Sequence, residues 1–240
     1  MKKILNHLRS DWYKYALELI VITAGILGAF ALNNWNESRS IKIKEVNMLQ
    51  ELAAGIASDV ADMRVNFAFH QEALNSQNVL IEWLANDHDY TDSLAMHIST
   101  SFRTTSFISN DGAYETMKSI GMDLISNEHL REELVGYYDK SFEGYAALEI
   151  YQDELRMQIR ENFQTLFDQY QVYDITKESY KGAMKPNNPT SLKENSVFSY
   201  WLNTQKESTV WLTRLGINQV ISNGEQLLEH INEEIQTLEQ

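Results

Sequence analysis

The sequence contains no cysteine, which excludes a disulfide framework, thiol catalysis and a Cys-ligated zinc site. Proline is almost as scarce, with 2 in 240 residues, and Pro186 and Pro189 fall in one short stretch. A mainly β chain of this length needs many more turn residues, so that class is excluded as well. Basic residues are few. The 20 Lys and Arg stand against 34 Asp and Glu, a formal charge of −14. Nucleic-acid affinity comes mostly from cationic contacts to phosphate, so a nucleic-acid partner is not expected. No HExxH, P-loop, GxGxxG or GxSxG string occurs. Neither a catalytic residue nor a metal ligand is assigned, no cofactor is expected, and the chain reads as a non-enzyme.

Hydrophobic residues make up 43% of the chain, enough for a packed core, and the length suits one domain plus an appendage. The fold expected is all-α: an N-terminal transmembrane helix continuing into the long helix of an antiparallel helical bundle.

The segment from Tyr15 to Trp35 carries the first specific signal. Leu19 to Leu32 is a run of 14 uncharged residues in which Thr23 is the only polar side chain. Ala16, Leu17 and Glu18 extend it to about 25 Å of helix at ~1.5 Å per residue, near the short end for a ~30 Å hydrocarbon layer. Trp12, Tyr13 and Tyr15 flank one end and Trp35 the other, as amphipathic rings do at an interface. A buried helix of a soluble core is the alternative, but it leaves the flanking charge asymmetry unexplained. A cleaved signal peptide is a second alternative, since Ala29-Phe30-Ala31 has the small-x-small form. Asp11 and Glu18 in the region before it argue against cleavage.

Residues 1–15 carry Lys2, Lys3, Arg9 and Lys14 against Asp11, a net +3. Beyond Asn36 the 16 remaining basic residues (20 − 4) face 32 acidic ones (34 − 2), a net −16. The positive-inside rule then puts the N-terminus in the cytoplasm. The domain reading is a basic cytoplasmic tail over 1–14, a transmembrane helix over 15–35 and a periplasmic helical bundle over 36–240.

Within the span, Gly25 with Ala29 and Ala24 with Gly28 form small-xxx-small pairs of the kind that let membrane helices approach closely. Glu18 is the one ionisable group near the hydrocarbon. It is a candidate contact for a partner helix, or a helix-terminal carboxylate reaching the interface beside Lys14.

The string Asn33-Asn34-Trp35-Asn36-Glu37 after Gly25-Ile26-Leu27, and the patch Tyr114-Glu115-Thr116-Met117-Lys118-Ser119 before Leu124-Ile125, carry a resemblance. They resemble an uncharacterised family of bacterial single-span membrane proteins with an NNWNE-type motif and a mostly helical exported region. The resemblance implies placement in a Gram-negative inner membrane. It implies no catalytic residue.

After Asn36, Val46, Leu49, Ala53, Ile56, Val60, Met63, Phe67, His70 and Leu74 step by 3 and 4, an a/d seam. One helix from about Tyr13 to Leu84 is expected. Asn86 to Asp92 is a turn. Its three Asp and a His do not make a calcium loop, because Asp92 and Ile98 stand where that loop needs Gly and Glu. Asp92 can cap a short helix with Leu94 and Ile98. Phe102 to Ile108 is either extended or loop, and a turn over Ser109–Gly112 leads into a helix that Gly121 ends.

Ser126 or Asn127 caps a second long helix, expected from Asn127 to Tyr170. Among its tyrosines, Tyr138, Tyr145 and Tyr151 are candidates to line a ligand pocket, with plain core packing as the alternative. An irregular connection spans 171–195. Phe198, Tyr200, Trp201 and Trp211 then precede a last helix marked by Ile217, Ile221, Leu228, Ile231 and Leu238. The pairs His129/Glu133 and His230/Glu234 have i,i+4 spacing, as chance allows on acidic helices.

Two functions fit best. One is an anchored scaffold contacting the bilayer and either a second copy of itself or another envelope protein. The other is a sensor-like bundle that binds a small ligand and signals through a partner transmembrane helix. A hydrolase with an unrecognised carboxylate site ranks third.

Overall fold

The computed structural model describes residues 12–176 and 181–240, and these are mostly helical. The helices are α1 (Trp12–Ala85), α2 (Asp92–Ser101), α3 (Gly112–Ile120), α4 (Glu128–Val135) and α5 (Phe142–Asn162), followed by α6 (Pro189–Lys193), α7 (Ser196–Trp211) and α8 (Asn218–Glu239). Wider π turns, Gly136–Ser141 and Leu212–Ile217, join α4 to α5 and α7 to α8. The described residues thus form three long rods: α1, α4–α5 and α7–α8. No strand occurs among the described residues beyond two isolated bridges, Phe167 with Pro186 and Tyr173 with Lys181.

Local chemistry sets the helix ends. Asn127, Asn188 and Asn195 each accept a hydrogen bond from the backbone N–H three residues on, which fixes the starts of α4, α6 and α7. Pro189 follows Asn188 at the first helical position, where it sacrifices no hydrogen bond. Gly121 closes α3 at φ +126°, a conformation in which a side chain is strained.

The second rod stops at Asn162, eight residues short of the Tyr170 expected from periodicity. There the chain turns so that Phe163 and Phe167 enter the core beside Phe198, with ring centroids 5.5 and 6.1 Å from it. Helical periodicity and this inward turn bury the same residue types, so the pattern alone does not locate the exit. Residues 102–108 are irregular; Arg103 donates to the Thr100 carbonyl at 3.2 Å, and two further backbone donors go to side chains. Phe107 donates to Glu149 Oε1 at 3.0 Å, Thr104 donates to the Tyr173 hydroxyl at 3.2 Å, and nearby Asn110 donates to Asp59 Oδ1 at 2.8 Å.

Burial in α1 begins at Glu45; the helix is solvent-exposed before that, apart from a half-buried Ala16. The buried face is broader than a heptad seam. Leu49, Ile56, Val60, Met63 and His70 are buried as the spacing predicts, but so are Met48, Leu52, Gly55, Asp59 and Gln77. The helix packs against α2 and α3 as well as α7 and α8, so more than one stripe is covered.

Buried apolar residues form two clusters. One gathers Leu49, Ile56, Tyr137, Tyr145 and Ile231, and the other gathers Leu80, Phe102, Leu155, Phe163 and Phe198. A polar layer separates them. On α1 it is His70, Ser76 and Gln77, between Met63 and Leu80. On α5 it is Gln152, between Tyr145 and Leu155. On α7 it is Gln205, Ser208 and Thr209, between Leu202 and Leu212.

Candidate functional site

The exposed start of α1 is the first candidate. An 18-residue window of this helix has a mean hydropathy of 2.0, and none of it is buried against the rest of the chain. By length and composition it suffices to cross a membrane. Glu18 lies in this exposed stretch, as do Gly25, Gly28 and Ala29. A Cβ added at Gly25 or Gly28 would meet nothing within 4 Å. Asn33, Asn34, Trp35, Asn36 and Glu37 continue the same helix, all exposed, and the Arg39 guanidinium lies 5.7 Å from the Trp35 ring centroid.

The second string divides by helix geometry. Tyr114 and Met117 point inward and are buried, whereas Glu115 and Lys118 pair on the outer face at 2.9 Å. The Tyr114 ring stacks on Tyr138 with centroids 4.4 Å apart, and its hydroxyl donates to Asp139 Oδ2 at 3.0 Å. Tyr137 meets Tyr138 edge to face at 5.1 Å.

Beside these rings, Asp59 is about 1% exposed. Burial lifts its carboxyl from 3.8 to about 6, and the neighbouring Asp62 and Asp111 add to the rise against the Asn110 backbone donor. Burial also pushes the Tyr137 and Tyr138 phenols well above the ordinary tyrosine range. Glycine makes room for both hydroxyls. A Cβ at Gly224 would lie 2.9 Å from the Tyr137 oxygen, and one at Gly55 would lie 3.7 Å from that of Tyr138.

Tyr138, Tyr145 and Tyr151 do not share a cavity. Tyr138 and Tyr145 are buried in the first cluster, while Tyr151 is exposed on α5. Tyr151 instead borders an open groove of about 340 Å³ with Leu148, Thr204, Glu207, Ser208 and Trp211. The polar layer lies at the same level. There Gln77 Nε2 donates to Ser101 O at 2.7 Å and to Thr209 Oγ1 at 3.2 Å, linking α1 to α2 and α7. His70 Nε2 lies 3.0 Å from Thr105 Oγ1, and burial with Arg103 nearby lowers the imidazole from 6.5 to about 4.

The two i,i+4 pairs are brought together in space. His230 Nδ1 on α8 lies 2.9 Å from both Glu133 oxygens on α4, and His129 Nε2 lies 3.4 Å from Glu133 Oε1. The Glu133 bond raises the His230 imidazole above its ordinary value. Glu234, held by Asn127 Nδ2 at 2.6 Å, borders the same open groove of about 360 Å³. Spacing within each helix is legible in sequence; the approach of residues 97 positions apart is not. As the side chains stand, no group of three His, Asp or Glu among the described residues is arranged to hold a metal.

No curated protein and no solved structure matches the chain. The profile of a family of unknown function, DUF6090, matches residues 18–179. The matched stretch takes in the apolar part of α1 from Glu18, both strings above and the tyrosine group; α6, α7 and α8 lie beyond it. The chain therefore belongs to the DUF6090 family of unknown function.

Proposed function

We propose that this protein is a single-span, membrane-anchored helical bundle acting as a scaffold on the periplasmic side of a bacterial inner membrane. One observation carries the reading: the exposed apolar stretch and the packed part of α1 are a single helix without a break. Anchor and packed region then move as one body, as a scaffold at fixed height above a membrane requires.

Three contacts support an antiparallel bundle on that anchor. Val60 faces Gly224 and Arg64 pairs with Glu225, while Gln77, further along α1, meets Thr209, so the later part of α1 lies against the earlier part of the Thr209–Glu225 stretch. The displaced Asp59 and His70 are sealed in the core, each about 1% exposed, which favours structural over catalytic roles. Gly25, Gly28 and Ala29 offer an open face for a second copy or a partner span. Four basic residues, Lys2, Lys3, Arg9 and Lys14, stand before the span against three, Arg39, Lys42 and Lys44, just after it, which supports a cytoplasmic N-terminus.

Chemical crosslinking of intact cells expressing the full chain, read by mass spectrometry, tests the scaffold. Self-links between equivalent α1 segments, or recurrent links to one envelope protein, are expected. A monomer that links to nothing contradicts the reading. The groove beside Tyr151 favours the sensor as the second reading, because its volume lies within the range of small-ligand sites, ~300–1,000 Å³.

A further inference from the structure

We propose that Arg39, Lys42 and Lys44 form a docking site for the phosphate groups of anionic phospholipids, at the membrane face where the packed helices stand. The site rests on the membrane-anchored reading of α1. Tyr15 to Trp35 covers about 30 Å of helix at ~1.5 Å per residue, the thickness of a hydrocarbon layer, so Trp35 falls at its boundary. Arg39 then lies about 6 Å further on, inside a headgroup layer ~5–7 Å deep. Lys42 and Lys44 follow at about 10 and 14 Å.

Helix geometry carries these charges back towards the phosphates. Side chains of an α-helix lean towards its N-terminus, and the N-terminal side of this stretch is the membrane side. Long basic side chains reach an interface in this way. Trp35, Arg39 and Lys42 share one face, at spacings of four and three residues. The Arg39 guanidinium, 5.7 Å from the Trp35 ring centroid, is held over an interfacial ring, and its planar fork matches a phosphate. Every residue from Asn36 to Lys44 is exposed, so no other helix covers this stalk. Among the described residues none of its three cations is ion-paired.

Charge is segregated at the same point. The stalk holds three cations against Glu37, a net +2, whereas residues 45–240 hold 13 basic (16 − 3) and 31 acidic (32 − 1) residues, a net −18. Packing begins at Glu45, about 15 Å past Trp35 at ~1.5 Å per residue. Screened charges interact over only ~8–10 Å. An anionic surface therefore attracts the stalk, while the acidic packed region starts beyond its reach.

The test places a benzophenone maleimide on Ser40→Cys, beside Arg39, in the full-length chain reconstituted into vesicles of phosphatidylcholine with a minor share of phosphatidylglycerol. Photo-adducts read by mass spectrometry should carry phosphatidylglycerol several-fold above its share of the vesicle. Arg39→Gln, Lys42→Gln and Lys44→Gln combined should return the adducts to that share, since each cation contributes about fivefold. Lys140→Gln, at an exposed cation of the packed region, should change nothing. Adducts at the bulk share in the parent, or an excess that survives the triple variant, overturn the site and leave the anchor standing. Loss of the excess to inorganic phosphate, but not to chloride of equal ionic strength, overturns it in favour of a free-phosphate site. Absence of any lipid adduct overturns the anchor and the site together.

Discussion

The Tyr137 hydroxyl occupies the space above Gly224, 2.9 Å from where a Cβ there would lie, with Val60 Cγ2 at 2.6 Å on the other side. This close approach seats the π turn of the second rod against α1 and α8. Gly224→Ala therefore forces overpacking, which costs about 1–3 kcal/mol and outweighs a helix-propensity gain of up to ~1 kcal/mol. Gly144→Ala, at an exposed α5 position with nothing within 4 Å, gains stability by the same propensity argument. Denaturant midpoints of the two variants should move in opposite directions.

Asp59 and His70 titrate in opposite senses across one pH window. The folded state raises Asp59 from 3.8 to about 6, so it binds that proton more tightly than the unfolded chain does. This contribution to stability is present at low pH and is lost as pH rises towards about 6. His70 falls from 6.5 to about 4, so its contribution is lost as pH drops through the same interval. The two slopes offset each other. Asp59→Asn keeps an acceptor for the Asn110 N–H and removes one slope, so that variant should lose stability on acidification more steeply than the parent. At neutral pH it should be the more stable of the two. Parallel curves of stability against pH would contradict this assignment.

The glutamines of the polar layer are not equivalent. Gln77 bonds Ser101 and Thr209, whereas neither amide atom of Gln152 has a protein hydrogen-bond partner. Gln77→Leu leaves buried partners unsatisfied and should cost about 1–3 kcal/mol. Gln152→Leu removes a buried polar group that no protein atom satisfies, and should leave stability unchanged or higher. Thermal unfolding of the two variants separates these outcomes.

The length of α1 was legible because nothing in Trp12–Ala85 interrupts helical periodicity. Its buried face was less so. A heptad count records one stripe, while Met48, Leu52 and Gln77 are covered by helices from distant parts of the chain. The ends of α3 and α4 were readable from Gly121 and Asn127, whose chemistry is local. By contrast, the grouping of Asp59 with Tyr137 and the meeting of His129 with His230 depend on rod-to-rod register, which no local pattern encodes. The tyrosine spacing of α5 likewise does not reveal that Tyr145 faces a core and Tyr151 the solvent.

The proposed anchor holds the packed helices outside the cytoplasm, and single-cysteine labelling can read that placement because the sequence has no cysteine of its own. Ser10→Cys lies before the span, and Ser58→Cys lies on an exposed face of α1 beyond it. With a membrane-impermeant maleimide on spheroplasts, Ser58→Cys should label directly and Ser10→Cys only after the membrane is opened. Labelling in the reverse order, or of neither site until lysis, would contradict the account.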